Sequence, residues 1–238
     1  MNILFVSEYF PPKVMGGGEI NLYTLAKALV QQEQKISILT SLHPGLLPYE
    51  RREGIQVYRR LNTGHNPLSI KSNIQRRLIF PSSVIGEVQK ILEEKNIDVI
   101  HFIGTSIIAA KELKKLGKTL VATVESYPAL CPKGDRIFHG KEECAIRCSL
   151  KEFFSCQADS TEIGKMSNKP YFKYNPLFLS YVYQYYKTLQ DNLAHCHCLA
   201  VSEYVQQLLL SHQLSSTVIP NALALSPIRD SEEKNKEN

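Results

Sequence analysis

The sequence predicts an α/β fold with a doubly wound, Rossmann-like and mostly parallel sheet that helices cover on both faces. Short apolar segments alternate along the chain with segments in which apolar residues recur at helical spacing. A glycine triplet, Gly16 to Gly18, separates the first apolar segment from the first helical one. The 238 residues are 43% hydrophobic, which is enough to bury a complete core without a metal or a disulfide.

Seven segments have the short apolar pattern of buried strands, and five have the i, i+3, i+4 periodicity of amphipathic helices. Gly117 is expected to end the third helix as its C-cap, and Ser202 is expected to begin the last helix as its N-cap. The predicted strands are residues 2–7, 36–39, 55–58, 98–103, 119–124, 198–201 and 217–219. The predicted helices are residues 19–31, 84–94, 105–116, 175–194 and 202–211.

The chain is predicted to form one domain over residues 1–225. Residues 226–238 are charged and lack apolar periodicity, so they are interpreted as a linker or tail. Ligands of parallel sheets bind beyond the carboxyl ends of the strands. The segments expected there are residues 11–19, 104–106, 125–127, 202–203 and 220–221.

The hydropathy pattern argues against a membrane span or a signal peptide. No apolar run approaches the roughly 20 residues of a membrane helix, and the longest, residues 99–110, contains a histidine, a threonine and a serine. The first residues lack the basic leader of a signal peptide. We therefore expect a cytoplasmic protein whose six cysteines are thiols or metal ligands rather than disulfides.

The net charge of +5 is unevenly distributed, because residues 51–77 alone contain seven cations and one acid. A surface built from this segment would attract phosphates, which favours peripheral contact with an anionic membrane. A simply solvated face is an equally good interpretation. No recognition motif for nucleic acid is present. The cations are Arg51, Arg52, Arg59, Arg60, Lys71, Arg76 and Arg77, and the acid is Glu53.

The glycine triplet does not match the dinucleotide fingerprint, although it follows a strand and opens a helix. That fingerprint needs a third glycine where Asn21 stands, and an acid after the second strand where Thr40 and Ser41 stand. Glycines at this place still allow a ligand to approach the backbone, and a helix N-terminus offers free N–H groups to an anion.

Five segments together resemble glycosyltransferase family 4, a family of retaining enzymes with the GT-B fold. They are NILFVSEYFPPKVMGGGEINLYTLAKAL at residues 2–29, DVIH at 98–101, YPALCPKG at 127–134, AVSEYV at 200–205 and VIPNA at 218–222. The resemblance implies the N-terminal, acceptor-side domain of such an enzyme. Because the sequence stops soon after VIPNA, we expect it to lack the C-terminal donor-binding domain, either as a fragment of a longer enzyme or as the product of a split gene that works with a separate donor-binding subunit.

The resemblance also implies roles for particular residues. Gly16, Gly17 and Gly18 match the loop that faces the diphosphate of a nucleotide-sugar donor, which is a substrate rather than a cofactor. The acceptor, a glycan or a lipid-linked acceptor, is expected near Glu19, His101, Glu125 and Tyr127. His101 is the one candidate for a catalytic residue, and no metal is expected in the reaction.

Some of these positions have structural interpretations or depart from the family pattern. Glu19 is also a favourable first-turn acid, and His101 fits a buried core histidine as well as a catalytic one. The second histidine of the family's H-x-H is Ile103 here, and Glu125 with Ser126 replaces its His-Asp pair. Glu125 is either a hydrogen-bond partner for a sugar hydroxyl or a solvated loop acid.

Four cysteines, Cys131, Cys144, Cys148 and Cys156, lie in one loop-rich stretch, where they could enclose a tetrahedral zinc. Only Cys144 and Cys148 have the usual spacing of a zinc knuckle, so the spacing favours thiols or a redox pair over a metal. An aromatic stretch follows at residues 171–186, which fits a sugar-stacking or interfacial surface, although core packing is the more common role.

Three hypotheses about function follow from these patterns. The first is the acceptor-side half of a glycosyltransferase, inactive without a donor-binding half. The second is a binding or regulatory module that kept the fold, and the third is a metal- or thiol-responsive protein built on the cysteines.

Overall fold

A computed structural model of the protein describes residues 1–64, 69–144, 147–159 and 174–222. The predicted tail at 226–238 and the first three residues of the aromatic stretch at 171–186 lie outside these ranges. The strands are β1 Asn2–Ser7, β2 Lys35–Ser41, β3 Tyr49–Arg52, β4 Ile55–Leu61, β5 Val99–Ile103, β6 Thr119–Val124, β7 Ile137–Phe138, β8 Glu142–Glu143, β9 His197–Ala200 and β10 Ser216–Val218. The helices are α1 Gly17–Gln31, α2 Ile70–Glu94, α3 Ala110–Leu113, α4 Leu150–Asp159, α5 Pro176–Leu193 and α6 Glu203–Ser211. Two 3₁₀ segments, Gly104–Ala109 and Lys114–Leu116, flank α3.

Eight strands form one sheet in the order β10-β9-β6-β5-β1-β2-β4-β3. Every neighbouring pair is parallel except β3 with β4 at the edge. The predicted Rossmann-like, mostly parallel fold is therefore confirmed. The chain leaves β1 toward β2 on one side and returns to β5 on the other, so the strand order reverses between β1 and β5. Such a reversal opens a crevice at the carboxyl ends of the strands.

Two apolar clusters cover the two faces of the sheet, as the alternation of side chains along a strand requires. Leu4 and Val6 of β1 belong to the larger cluster, which α2, α5 and α6 complete. Ile3 and Phe5 point to the other face and pack with Leu22 of α1. The strands with near-continuous apolar sequence are thus those buried on both sides.

Every predicted strand and helix corresponds to an observed element, but some bounds and types differ. Helix α2 begins at Ile70 rather than at residue 84, and Pro81 lies inside it. Proline costs about 3 kcal/mol within a helix, and the burial of Phe80, Val84 and further residues of α2 offsets that cost. The segment 105–116 alternates between 3₁₀ and α geometry. Strand β3, the small β7–β8 hairpin and α4 were missed.

The predicted helix caps are confirmed. Gly117 adopts a left-handed conformation with φ of 68°, and the Ser202 hydroxyl accepts a hydrogen bond from the Val205 N–H at 3.3 Å. No helix in the described ranges is both long and apolar enough to cross a bilayer.

Candidate functional site

A cleft of about 460 Å³ opens at the carboxyl edge of the sheet, where the strand order reverses. The N-terminus of α1 forms one wall, and the residues after β1, β5 and β6 form the others. A smaller cavity of about 50 Å³ shares Gly104, Thr105 and Glu125 with it. The residues lining the larger cleft are Ser7, Glu8, Tyr9, Met15, Gly16, Gly17, Gly18, Glu19, Arg76, Ile103, Gly104, Thr105, Glu125, Ser126, Pro128 and Asn221.

The glycine loop is fixed by a carboxylate of its own helix. Glu19 accepts hydrogen bonds from the backbone N–H groups of Gly16 at 2.8 Å and of Met15 at 3.4 Å. This is half of a capping box, since the third residue of the helix reaches back to the N-cap. The side chain of Glu19 therefore shapes the loop, while the first helical amides of α1 have no intrahelical partner, as is general at helix N-termini that bind anions.

The three glycines differ in what surrounds them. A Cβ atom at Gly18 would lie 2.3 Å from Oε2 of Glu125, so a side chain there would displace the carboxylate. A Cβ atom at Gly17 would meet nothing within 4 Å. A side chain at Gly18 would therefore have to move the Glu125 carboxylate, whereas one at Gly17 would enter open space.

Asn21 joins three parts of the cleft wall. Its Nδ2 donates to Oε1 of Glu125 at 2.6 Å and to Oδ1 of Asn221 at 3.0 Å, and its Oδ1 accepts from the Ala222 N–H at 2.8 Å. Burial raises the pKa of Glu125. The hydrogen bond from Asn21 lowers that pKa in part, whereas the negative charge of Glu19 raises it further. Sequence reasoning noted Asn21 only as a missing glycine, because its partners are distant along the chain.

Glu8 is the most densely bonded acid of the cleft, and sequence reasoning missed it. Its side chain is 5% exposed at the end of β1. Arg76 binds both oxygens, with Nε 2.6 Å from Oε1 and Nη2 2.7 Å from Oε2. The hydroxyls of Thr63 and Thr105 donate to the same carboxylate at 2.6 and 3.1 Å. The one available signal was a charged residue directly after an apolar strand.

Tyr9 completes this polar wall. Its ring stacks on His43 with centroids 5.5 Å apart, and the guanidinium of Arg76 lies 5.7 Å from the ring centre. Burial and then the neighbouring Glu8 charge raise the pKa of Tyr9. Burial lowers the pKa of Arg76, but the Glu8 carboxylate outweighs it, so the net pKa of Arg76 is raised and the cation is retained.

His101 lies in the sheet rather than among the residues that line the cleft. It is buried in the middle of β5, 2.7 Å from the Thr123 hydroxyl and 4.8 Å from the Phe5 ring. Burial lowers its pKa to about 4, so the ring is neutral at physiological pH. This environment fits a buried core histidine, and a catalytic role for His101 stays a prediction.

Tyr127 shapes the loop after β6 through its backbone. Its carbonyl accepts hydrogen bonds from the N–H groups of Leu130 at 2.8 Å and Cys131 at 2.7 Å. Its half-buried ring packs against the larger apolar cluster. The flanking Ser126 and Pro128 line the cleft, so Tyr127 acts on the site through the conformation of this loop.

The fold brings the four cysteines of the 131–156 stretch to one enclosed apolar cavity beside Phe153. None of them forms a disulfide. Burial and the three neighbouring thiols raise the pKa of Cys148 to about 12. Among the described residues, no group of three or more His, Cys, Asp or Glu side chains is placed to hold a metal ion.

The cations of residues 51–77 lie in different environments: Arg51, Arg52 and Lys71 are exposed, and contact of this segment with an anionic membrane stays a prediction. Arg59 is 1% exposed and pairs with Glu50 at 2.7 Å, and Arg76 pairs with the buried Glu8. Arg60 lies 3.5 Å from Glu94, and Arg77 packs over two tyrosine rings of α5. Arg59, Arg60, Arg76 and Arg77 thus have partners within the protein, which a count of charges cannot reveal.

The comparisons with known proteins agree with this geometry. A family model described as Glycosyltransferase Family 4 matches residues 15–226. A search of curated protein sequences finds no match. Because the family model covers most of its length, the chain belongs to glycosyltransferase family 4.

Solved structures of glycosyltransferases share the fold. Sucrose-phosphate synthase from Thermosynechococcus elongatus superposes with a TM-score of 0.56 at 12% identity, over 92% of this chain and 47% of its own. A UGT transferase from Siraitia grosvenorii in complex with UDP gives 0.52 at 14% identity, over 95% and 52%. UGT2 from Phytolacca americana gives 0.54 at 9% identity, over 94% and 52%. The chain therefore spans about half the length of these structures.

Proposed function

We propose that this chain is the acceptor-side half of a glycosyltransferase that moves a sugar from a nucleotide-sugar donor to a glycan or lipid-linked acceptor. The observation that carries the proposal is the cleft at the reversal of the strand order, with the glycine triplet on one side and Glu125 on the other. Membership of family 4 indicates the class of reaction, and the cleft is where we propose that the reaction takes place.

The glycine loop is assigned to the donor's diphosphate. When the glycosidic bond to the nucleotide breaks, negative charge develops on the leaving phosphate. Backbone N–H groups and the positive end of α1 stabilise that charge, because they are already oriented and need no reorganisation. In this assignment the open space at Gly17 admits the phosphate, and Glu19 holds the loop in place.

Glu125 is assigned to the acceptor. One of its oxygens is bonded to Asn21, and its carboxylate lines both the cleft and the smaller cavity next to it. A carboxylate in this position accepts a hydrogen bond from an acceptor hydroxyl and orients it toward the sugar. Tyr127 contributes by holding the conformation of the loop that carries Glu125 and Ser126.

Transfer in this proposal needs a donor-binding half in addition to the residues of this chain. The cleft is open on the side of Gly17 and Asn221, where a second domain of a GT-B enzyme would close over it. The lengths of the matched structures, about twice that of this chain, support the same requirement.

A lipid-linked acceptor is favoured by exposed apolar side chains on two neighbouring helices. Ile74 and Leu78 of α2 are 51% and 61% exposed, and Leu177 of α5 is 82% exposed. Arg77 joins these helices through its contacts with Tyr181 and a further tyrosine ring. Peripheral contact of this surface with a bilayer would bring a lipid-linked acceptor to the cleft. This contact is tested by comparing the binding of the wild-type protein and of an Ile74→Ser, Leu78→Ser double variant to anionic vesicles.

Native mass spectrometry of the protein isolated gently from its own cells tests the proposal. The expected result is a species heavier than 27.0 kDa that contains a donor-binding half, on a partner chain or on a longer form of this one. That species should transfer label from one of a panel of nucleotide sugars to an extract of cell glycans and lipids.

A 27.0 kDa species alone, without transfer activity, would contradict the proposal. The binding or regulatory module would then be the better hypothesis. Metal mass on that lone species would instead support a metal-responsive protein.

A further inference from the structure

We propose that Cys131, Cys144, Cys148 and Cys156 form a tetrathiolate Zn²⁺ site. The bound ion would hold in place the segment that connects β6 and α5, beside the cleft. The site lies outside the cleft and goes beyond the proposed transfer activity. Four cysteine thiolates are a common ligand set of structural zinc sites, and they complete the tetrahedral coordination of the ion without a water ligand.

The first observation is convergence. Cys131 follows the loop after β6, Cys144 ends the β7–β8 hairpin, Cys148 precedes α4 and Cys156 lies on α4. These separate pieces of chain bring the four cysteines to the wall of one cavity, whose remaining lining is apolar except for Lys133 and Glu152. Apolar surroundings repel isolated thiolates, but they suit a metal centre that holds all four sulfurs together.

The second observation is buried positive charge next to the sulfurs. The Lys133 side chain is 2% exposed, and its Nζ lies 3.7 Å from Sγ of Cys156. Arg136 is also buried and donates to the backbone carbonyl of Cys144, while its Nε has no hydrogen-bond partner among the described residues. Asp135, 3.3 Å from Lys133, balances one of these two cations. Glu152 also lines the cavity with its negative charge, so Lys133, in contact with Cys156, is the cation that stabilises the charge of −2 on a zinc with four thiolates.

The third observation is a hydrogen bond directed at a sulfur. The backbone N–H of His139 donates to Sγ of Cys156 at 3.3 Å. Donors of this kind orient sulfur ligands and stabilise their charge, and outer groups of this type tune metal sites. Neutral thiols would gain little from both an ammonium and an amide donor.

Binding requires deprotonation and a small rearrangement. Each of the four thiols gives up one proton as its Zn–S bond forms, so one Zn²⁺ enters, four protons leave and no electron moves. The thiol of Cys148 now donates to the Ser149 carbonyl at 3.5 Å, and this contact is exchanged for the metal. Because the described residues contain no group of three ligands placed to hold a metal, the proposal requires such side-chain rotation before Zn–S bonds of about 2.3 Å can form.

Metal analysis of the full chain, purified from zinc-supplemented medium, tests the proposal. We expect about one zinc per chain, because the four thiols form one site. Cobalt added to the metal-free protein should give the sulfur-to-metal charge-transfer band of tetrathiolate coordination. Cys148→Ser and Cys156→Ser should lose that band, whereas Cys196→Ser, a half-buried cysteine outside the cavity, should keep it.

Lys133→Met keeps all four ligands and therefore separates metal binding from a folding failure of the cysteine variants. It should weaken zinc binding by about 10–100-fold, whereas Lys141→Met at an exposed position should not. Wild-type protein that is free of zinc and gives no charge-transfer band with cobalt would overturn the proposal. Iron and inorganic sulfide in place of zinc would overturn it as well.

Discussion

Removal of Arg76 should destabilise the protein by leaving the buried Glu8 carboxylate without its cation. Arg76 makes two short contacts with Glu8, which is 5% exposed, whereas Arg76 itself is 32% exposed. Breaking a buried pair from one side costs about 3–5 kcal/mol. Water can reach the carboxylate after the change, and Thr63 and Thr105 still donate to it, so we expect about 3 kcal/mol for Arg76→Ala.

A double-mutant cycle identifies the cause of that loss. Glu8→Gln removes the charge but keeps the shape, so Arg76→Ala should cost less in its presence, with a coupling of at least about 1 kcal/mol. Unfolding in urea gives the free energies, and the single variant should also lower Tm by about 6–12 °C for a domain of this size. Lys71→Ala, an exposed change on the same helix, should stay within about 0.5 kcal/mol of wild type.

Two outcomes would refute this reasoning. Arg76→Ala could cost less than about 1 kcal/mol, which would mean that the ion pair adds little to the fold. Alternatively, the two changes could be additive, and the loss would then come from the packing of Arg76 against Tyr9 rather than from the charge of Glu8.

Three further changes test other contacts of the fold and the site. Gly18→Ala should lower the free energy of unfolding by about 1–2 kcal/mol, because the new side chain displaces Glu125 from its hydrogen bond with Asn21. Gly17→Ala should not lower it, and equal effects of the two changes in urea unfolding would contradict the role of Glu125. Asn21→Ala should speed amide hydrogen exchange in the segment after β10, and unchanged exchange would argue against its linking role. The fold lowers the pKa of His101 from 6.5 to about 4, so on acidification the imidazole is protonated in the unfolded chain before it is protonated in the folded one. The free energy of unfolding should therefore fall as the pH drops from 6.5 to 4, with up to about 3 kcal/mol of the loss due to His101. His101→Gln should reduce that slope but not abolish it, because burial also lowers the pKa of His212 to about 4; an unchanged slope would disprove the assignment.

The sheet was predictable because its strands are buried on both faces and their sequences are almost continuously apolar. Helix α2 was predicted too short because Pro81 indicates a helix end when only local sequence is considered. Burial of Phe80 and Val84 against the sheet overrides that local preference. Strand β3 has no apolar pattern, since it lies at an exposed edge and pairs antiparallel with β4.

The cleft was located from the sequence, but its chemistry was only partly predicted. The glycine loop and Glu125 lie where the strand order indicated, while Asn21 and Glu8 owe their importance to partners 104 and 68 residues away. Long-range pairing of this kind leaves no local pattern. The spacing of the cysteines likewise did not reveal that the fold gathers all four at one cavity.

The central claim is that the cleft binds the acceptor and the leaving diphosphate of a sugar transfer. The most direct measurement is kcat/KM for transfer by the species that contains the donor-binding half, compared between Glu125→Gln, Gly18→Ala and Glu93→Gln. The first two should lower kcat/KM at least about tenfold, since each loses a contact of about 1.4 kcal/mol, and the exposed Glu93 should have no effect. Equal activity of all three variants would contradict the claim.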